Sequence, residues 1–286
     1  MNELERSGSA NGPMVTDLAS KVPVVTVYFW IIKVLTTGMG EAASDALIKA
    51  GGAIAVAVTA VALVASFVAQ FKASRYIPGV YWLAVVMVSV FGTMAADIPH
   101  FLGVPVWATS AAYLLTVVVI FYMWHRVEGT LSFSAINTRR REAFYWAAVM
   151  ATFALGTAVG DLTAFSWGWG ALASGIIFAV LIALPAMARR WVGLNTVAAF
   201  WIAYILTRPL GASFADWMGL PTRHGGLGWG MALVAAIWSA AIVAFVVYLA
   251  ATRRDVRADA RPRTEHGNSE QAAVKTGAGA AEPGND

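Results

Sequence analysis

Four aspartates carry most of the chemistry this sequence could perform. Asp45, Asp97, Asp161 and Asp216 each close a pattern in which tryptophan is followed ten residues later by glycine and fifteen later by aspartate. The tryptophans are Trp30, Trp82, Trp146 and Trp201, and the glycines are Gly40, Gly92, Gly156 and Gly211. An aromatic precedes each tryptophan: Phe29, Tyr81, Tyr145 and Phe200. Four carboxylates at one register form a ring that binds a cation or carries protons. Taken singly, each instead caps a hairpin by accepting from free amides. Lys33, Glu41 and Arg208 add charge to the same segments. They serve either as a structural ion pair (Lys33 with a carboxylate, or Arg208 with Glu41) or as counter-charges in a coupled mechanism. His100 lies three residues after Asp97 and offers a candidate metal pair with it; His224 lies eight after Asp216.

These residues sit in a chain of 286 residues, 59% hydrophobic and 13% charged, with a mean hydropathy of +0.66. Apolar runs of about 20 residues without an ionisable group exclude a soluble globular protein. Eight membrane-spanning helices are expected, at about 22–44, 50–71, 79–98, 103–124, 142–164, 169–188, 192–216 and 227–251. Residues 1–20 and 253–286 read as disordered cytoplasmic ends, flanking a transmembrane domain over 21–252. Lys72, Arg75, Arg126, Arg139–Arg141, Arg189, Arg190, Arg253, Arg254 and Arg257 fall on one side, and only Lys49 and Arg223 on the other. By the positive-inside bias both termini are cytoplasmic, in an inner (plasma) membrane. The basic pI follows from topology and implies no nucleic-acid partner; the expected partners are lipid and a small cationic solute or proton. Glu142, beside Arg139–Arg141, reads as an interfacial charge.

The tandem pattern implies four parallel two-span repeats, at about 21–72, 76–126, 140–190 and 192–252. The patterned odd helices hold all the intramembrane charges and should form an inner ring, with the plain even helices toward lipid. Tryptophan and aspartate, fifteen residues apart, lie about 22 Å apart on one broad helix face. The tryptophans form either an interfacial belt or the wall or gate of a cavity. The glycines either admit close helix packing or break the helix at a ligand. Pro209, after Arg208, is a candidate kink in the seventh span.

The chain resembles a bacterial family of tandem two-span repeat proteins of unknown function, the uncharacterised membrane-anchored proteins. The resemblance rests on Tyr28-Phe29-Trp30, Lys33, Gly40-Glu41 and Asp45; on Tyr81-Trp82, Gly92-Thr93 and Asp97; on Phe144-Tyr145-Trp146, Leu155-Gly156-Thr157 and Asp161; and on Arg208-Pro209-Leu210-Gly211 through Asp216-Trp217. It implies the architecture and no biochemistry. No cysteine is present, and no H-E-x-x-H, nucleophile elbow or phosphate loop, so neither catalysis nor a cofactor is expected. The expected function is transport of a small cation or metal ion, such as proton-coupled efflux. The alternative is a non-transporting scaffold or sensor.

Overall fold

The computed structural model describes residues 20–256, and every regular element among them is helical. In chain order they are α1 (Val27–Lys72), α2 (Pro78–Phe101), α3 (Val106–Glu128), α4 (Arg139–Asp161), α5 (Ala171–Leu181), α6 (Leu184–Trp191), α7 (Thr196–Gly219) and α8 (Met231–Thr252). They supply seven stretches long and apolar enough to cross a membrane. This is a helical membrane protein.

Where eight separate spans are expected, the first two follow one another within α1 as two helices that meet at a kink, with no loop between them. The 46 residues of α1 would extend about 69 Å if straight, more than twice the hydrocarbon thickness. Gly52 interrupts it with φ 50° and ψ −127°, a conformation that glycine tolerates because it has no Cβ. Beyond the break the chain returns: Lys21 Nζ donates to the Phe71 carbonyl at 3.3 Å, and the Tyr76 amide donates to the Ser20 carbonyl at 3.2 Å. Both ends of α1 therefore lie at the same end of the molecule. Its start is later than expected, at Val27, where the Thr26 hydroxyl accepts from the Phe29 amide. The expected span over 169–188 is divided into α5 and α6, with Pro185 in the first turn of α6. Proline has no N–H to continue the α5 ladder, and its fixed φ suits a helix start.

Burial separates the helices into two kinds. Of their most apolar stretches, 61% is buried in α2, 67% in α4 with its π-helical extension Leu162–Ser166, and 61% in α7. The corresponding values are 17% in α3, 28% over Ala171–Trp191 and 17% in α8. The buried positions of α1 concentrate between Phe29 and Ser44. α3 packs on α4, α5 on α7, and α8 on α1.

One end of the bundle is closed by two strands of irregular chain. Residues 20–26 cross it, held by the Lys21 amide on the Ile136 carbonyl and the Val24 amide on the Asp255 carbonyl, both at 2.9 Å. The loop 129–138 lies beside them; Phe133 stacks on Phe200 at 3.7 Å, and Trp201 Nε1 donates to the Leu131 carbonyl at 3.0 Å. Residues 253–256, expected to be disordered, pack on the bundle: Asp255 is 1% exposed and accepts from the Tyr76 hydroxyl at 2.5 Å. The remaining expected disordered stretches, 1–19 and 257–286, lie outside the described residues.

Candidate functional site

The four tryptophans form neither a belt nor the wall of an open cavity. Trp82, Trp146 and Trp201 are buried and Trp30 is half-buried. Each meets the aromatic that precedes the tryptophan of another repeat. Phe29 lies 5.7 Å from Trp82, Tyr81 lies 5.6 Å from Trp146, Tyr145 lies 6.2 Å from Trp201, and Phe200 lies 5.6 Å from Trp30. The contacts run first to second, second to third, third to fourth and fourth to first, so the set closes on itself. Tyr81 and Tyr145 share a hydroxyl hydrogen bond of 2.5 Å. The four pairs are tilted, and aromatic pairs at such separations contribute about 0.5–1.5 kcal/mol each beyond their buried area.

The glycines repeat the same cyclic order one layer on. A Cβ on Gly40 would lie 1.8 Å from the Ser89 hydroxyl, on Gly156 2.5 Å from Arg208 Cβ, and on Gly211 2.1 Å from the Thr37 hydroxyl. At Gly92 the nearest atom is Phe153 Cβ, at 3.8 Å. Ser89, Phe153, Arg208 and Thr37 each stand seven residues after their repeat's tryptophan. Glycine is thus required at three of the four crossings for backbone approach. α1, α2, α4 and α7 run unbroken through these glycines, which rules out the broken-helix reading; the break in α1 falls at Gly52. α7 also continues through Pro209.

Seven and eleven residues after the tryptophans lies the main charge lock. Arg208 is 1% exposed; its Nη2 donates to Glu41 Oε2 and to the Thr93 hydroxyl, both at 2.6 Å. Nη1 donates to the Thr37 carbonyl at 3.4 Å. A buried guanidinium is retained only when acceptors meet it, and here α1 and α2 supply them to an arginine of α7. Of the two pairings open in the sequence, the Arg208–Glu41 pair forms. Lys33 has no carboxylate partner: its Nζ is 3.8 Å from the Phe153 ring centre and 4.1 Å from that of Tyr204.

Toward the opposite end, the aspartates stand over this lock. All four lie within electrostatic range of both Glu41 and Arg208, and Asp45 and Asp161 lie within range of each other and of Asp97 and Asp216. Asp216 is buried and the other three are half-buried. The capping reading does not hold, because the helices that follow are capped by Pro105, Gly170 and Gly230. Among the described residues no hairpin amide donates to any of the four side chains. No group of three His, Asp or Glu could hold a metal ion among the described residues, and both His100, in the last turn of α2, and His224 are exposed. The Asp97–His100 metal pair therefore has no third ligand.

Several residues of this system are not evident in the sequence. Glu142 is fully buried. It accepts from Lys21 Nζ at 2.7 Å and from Gln70 Nε2 at 3.0 Å. Arg140 and Arg141 pair with Glu128. Thr93 had a signal: a threonine follows the glycine in two repeats, at Thr93 and Thr157.

No match to the chain was found among curated proteins or among solved structures. A family model described as a Repeat of Unknown Function (DUF347) matches residues 28–76, 80–130, 144–193 and 199–255. The chain accordingly belongs to the DUF347 repeat family, with four tandem copies covering most of its length.

Proposed function

We propose that this protein transports a small cation across a plasma membrane, using eight crossings arranged as four parallel two-helix repeats. In this reading α1 folds back at Gly52 to give the first two crossings, and α5 with α6 gives the sixth. The helices bearing the tryptophans form the inner ring. The tryptophan end is cytoplasmic, since Lys72, Arg75, Arg126, Arg139–Arg141, Arg189, Arg190, Arg253 and Arg254 gather there. Exposed Trp107, Trp167, Trp169 and Trp229 sit at the starts of crossings on the opposite side, as interfacial anchors do.

The observation that carries the transport reading is the gathering of four aspartates over one buried Arg208–Glu41 pair. Five acids face two bases, Arg208 and Lys33, so the outer mouth attracts cations. A cation drawn in competes with Arg208 for Glu41, and a proton competes with the cation for the same carboxylates; exchange of one for the other is then coupled. The absence of a chelating triad among the described residues favours a cation held without direct multidentate coordination over a dehydrated metal ion.

Flux in reconstituted vesicles tests this. Asp97→Asn with Asp161→Asn should abolish cation flux while the protein still inserts and purifies as a folded species; unchanged flux rejects the proposal. The second reading, a non-transporting scaffold or sensor, is favoured by the closed aromatic ring. It predicts no wild-type flux and a lower melting temperature for the same double variant.

A further inference from the structure

Lys33 takes no part in the exchange just described, yet it is one of the most deeply enclosed side chains of the bundle. It is 1% exposed, and its Nζ has no hydrogen-bond acceptor. Two aromatic faces hold it instead, Phe153 from α4 and Tyr204 from α7. The position three residues after tryptophan, where Lys33 stands, is Val85, Val149 and Tyr204 in the other repeats. An amine has thus been placed in a layer that is otherwise apolar or aromatic. Ring faces attract weakly hydrated, carbon-bearing cations, most strongly where water is excluded. Hard inorganic cations demand oxygen ligands, which these two faces do not provide.

We propose that Phe153 and Tyr204 are the walls of an organic-ammonium site, that Lys33 is its tethered occupant in this conformation, and that the solute of the pathway is a small aliphatic ammonium ion. The substrate class rests on the transport reading above; the site itself does not. The end of a lysine side chain is an n-butylammonium group. Shortening it to alanine, which keeps Cβ, should leave an enclosed opening for the ammonium head and the three carbons next to it, since well-packed cores relax only partially and buried openings take up molecules that fit. A free ammonium ion would then occupy the place the tether held, just as it would when Lys33 swings away during transport.

The test uses the full-length protein purified in detergent, with n-butylammonium as probe and n-butanol and potassium as controls. Binding is followed by the melting temperature and by intrinsic tryptophan fluorescence. Lys33→Ala should bind n-butylammonium at least about tenfold more tightly than the wild type, with no comparable response to either control. Adding Phe153→Leu should remove that gain, and Lys33→Met, which refills the site with an apolar chain, should show none. An equal response to butanol, no response in Lys33→Ala, or a gain retained with Phe153→Leu overturns the proposal. Should Lys33→Ala fail to fold, the readout becomes recovery of monodisperse protein when the cells are grown and extracted with n-butylammonium rather than butanol; no recovery overturns it. Binding is read without flux, so the two failures are distinct. Vesicles that pass no cation reject transport, whereas a site indifferent to n-butylammonium rejects this assignment.

Discussion

The two ends of the inner ring are built from the same four helices and solve opposite problems. At the tryptophan end the layer is aromatic, fully packed and covered by the chain segments 20–26 and 129–138. At the aspartate end it is acidic, with Asp45, Asp97 and Asp161 half-buried and Asp216 buried. Rings can be close-packed into a seal because their edges and faces attract. Carboxylates at the same radius repel, and three of the four keep contact with solvent, while Asp216 is buried. A change of residue type over fifteen positions of one helix is thus enough to turn an aromatic layer into an acidic one. Between them, the charge lock and the Lys33 site mark the depth at which polar groups must find partners inside the protein.

The largest effect is expected at that boundary. Arg208→Met leaves Glu41 buried without its cation and should cost about 3–5 kcal/mol, read as loss of melting temperature or of folded yield in detergent. Arg208→Met combined with Glu41→Leu should recover much of it; no recovery would mean that the guanidinium acts through Thr93 and Thr37 instead. At the tryptophan end, Lys21→Met leaves Glu142 with Gln70 alone, and a loss of about 1–3 kcal/mol is expected. Proteolysis within residues 20–26 should accelerate in parallel, because the same lysine pins that strap to Phe71.

The glycine crossings provide a sharper internal comparison. Gly211→Ala pushes a methyl against the Thr37 hydroxyl and the Gly38 amide nitrogen, at 2.1 and 2.7 Å, and should destabilise by about 1–3 kcal/mol. Gly92→Ala meets only an ordinary van der Waals contact and should lie within about 0.5 kcal/mol of the wild type. Equal melting temperatures for the two variants would mean that the ring tolerates dilation at any crossing.

The smallest expected effect is a pH dependence at the tryptophan end. Burial raises the Asp255 carboxyl above the ordinary carboxylate range, and the Tyr76 hydroxyl bond only partly offsets this. The folded state therefore holds this proton more tightly than the unfolded state does. The strap is most stable below the ordinary carboxylate range, and that contribution is lost as pH rises through the raised value. Amide exchange at Val24, corrected for its intrinsic pH dependence, should show greater protection on the acid side; a flat or inverted profile would contradict it.

Much of the fold was legible because repetition amplifies weak signals. One tryptophan, glycine and aspartate at fixed spacing says little, whereas four in register define a tandem repeat, and a family model matches four tandem segments. The charged residues Lys33, Glu41 and Arg208, rare in such apolar helices, are buried in the protein. The seal was not legible, because Lys21, Glu142, Gln70 and Asp255 occur once each and meet only across long sequence separations. The same holds for the environment of Lys33: a lone lysine in an apolar run suggests an ionic partner, and the rings that hold it come from the third and fourth repeats. Gly52 shows a third limit. A Gly-Gly pair inside a long apolar stretch signals a turn, but not that the helix resumes with no intervening loop.

The cyclic order of the ring contacts has a consequence for how the gene could be cut. A linear array of repeats has two exposed end units and needs them specialised, whereas here the fourth unit touches the first as the second touches the third. The two termini of the bundle also meet, through the Val24 amide and the Asp255 carbonyl at 2.9 Å. A circular permutant opened in the 129–138 loop and joined through a short linker between residues 256 and 20 would keep the aromatic, glycine and charge contacts between the helices of the four units. It should assemble into the same bundle, for which chain order is bookkeeping and neighbour identity is structure.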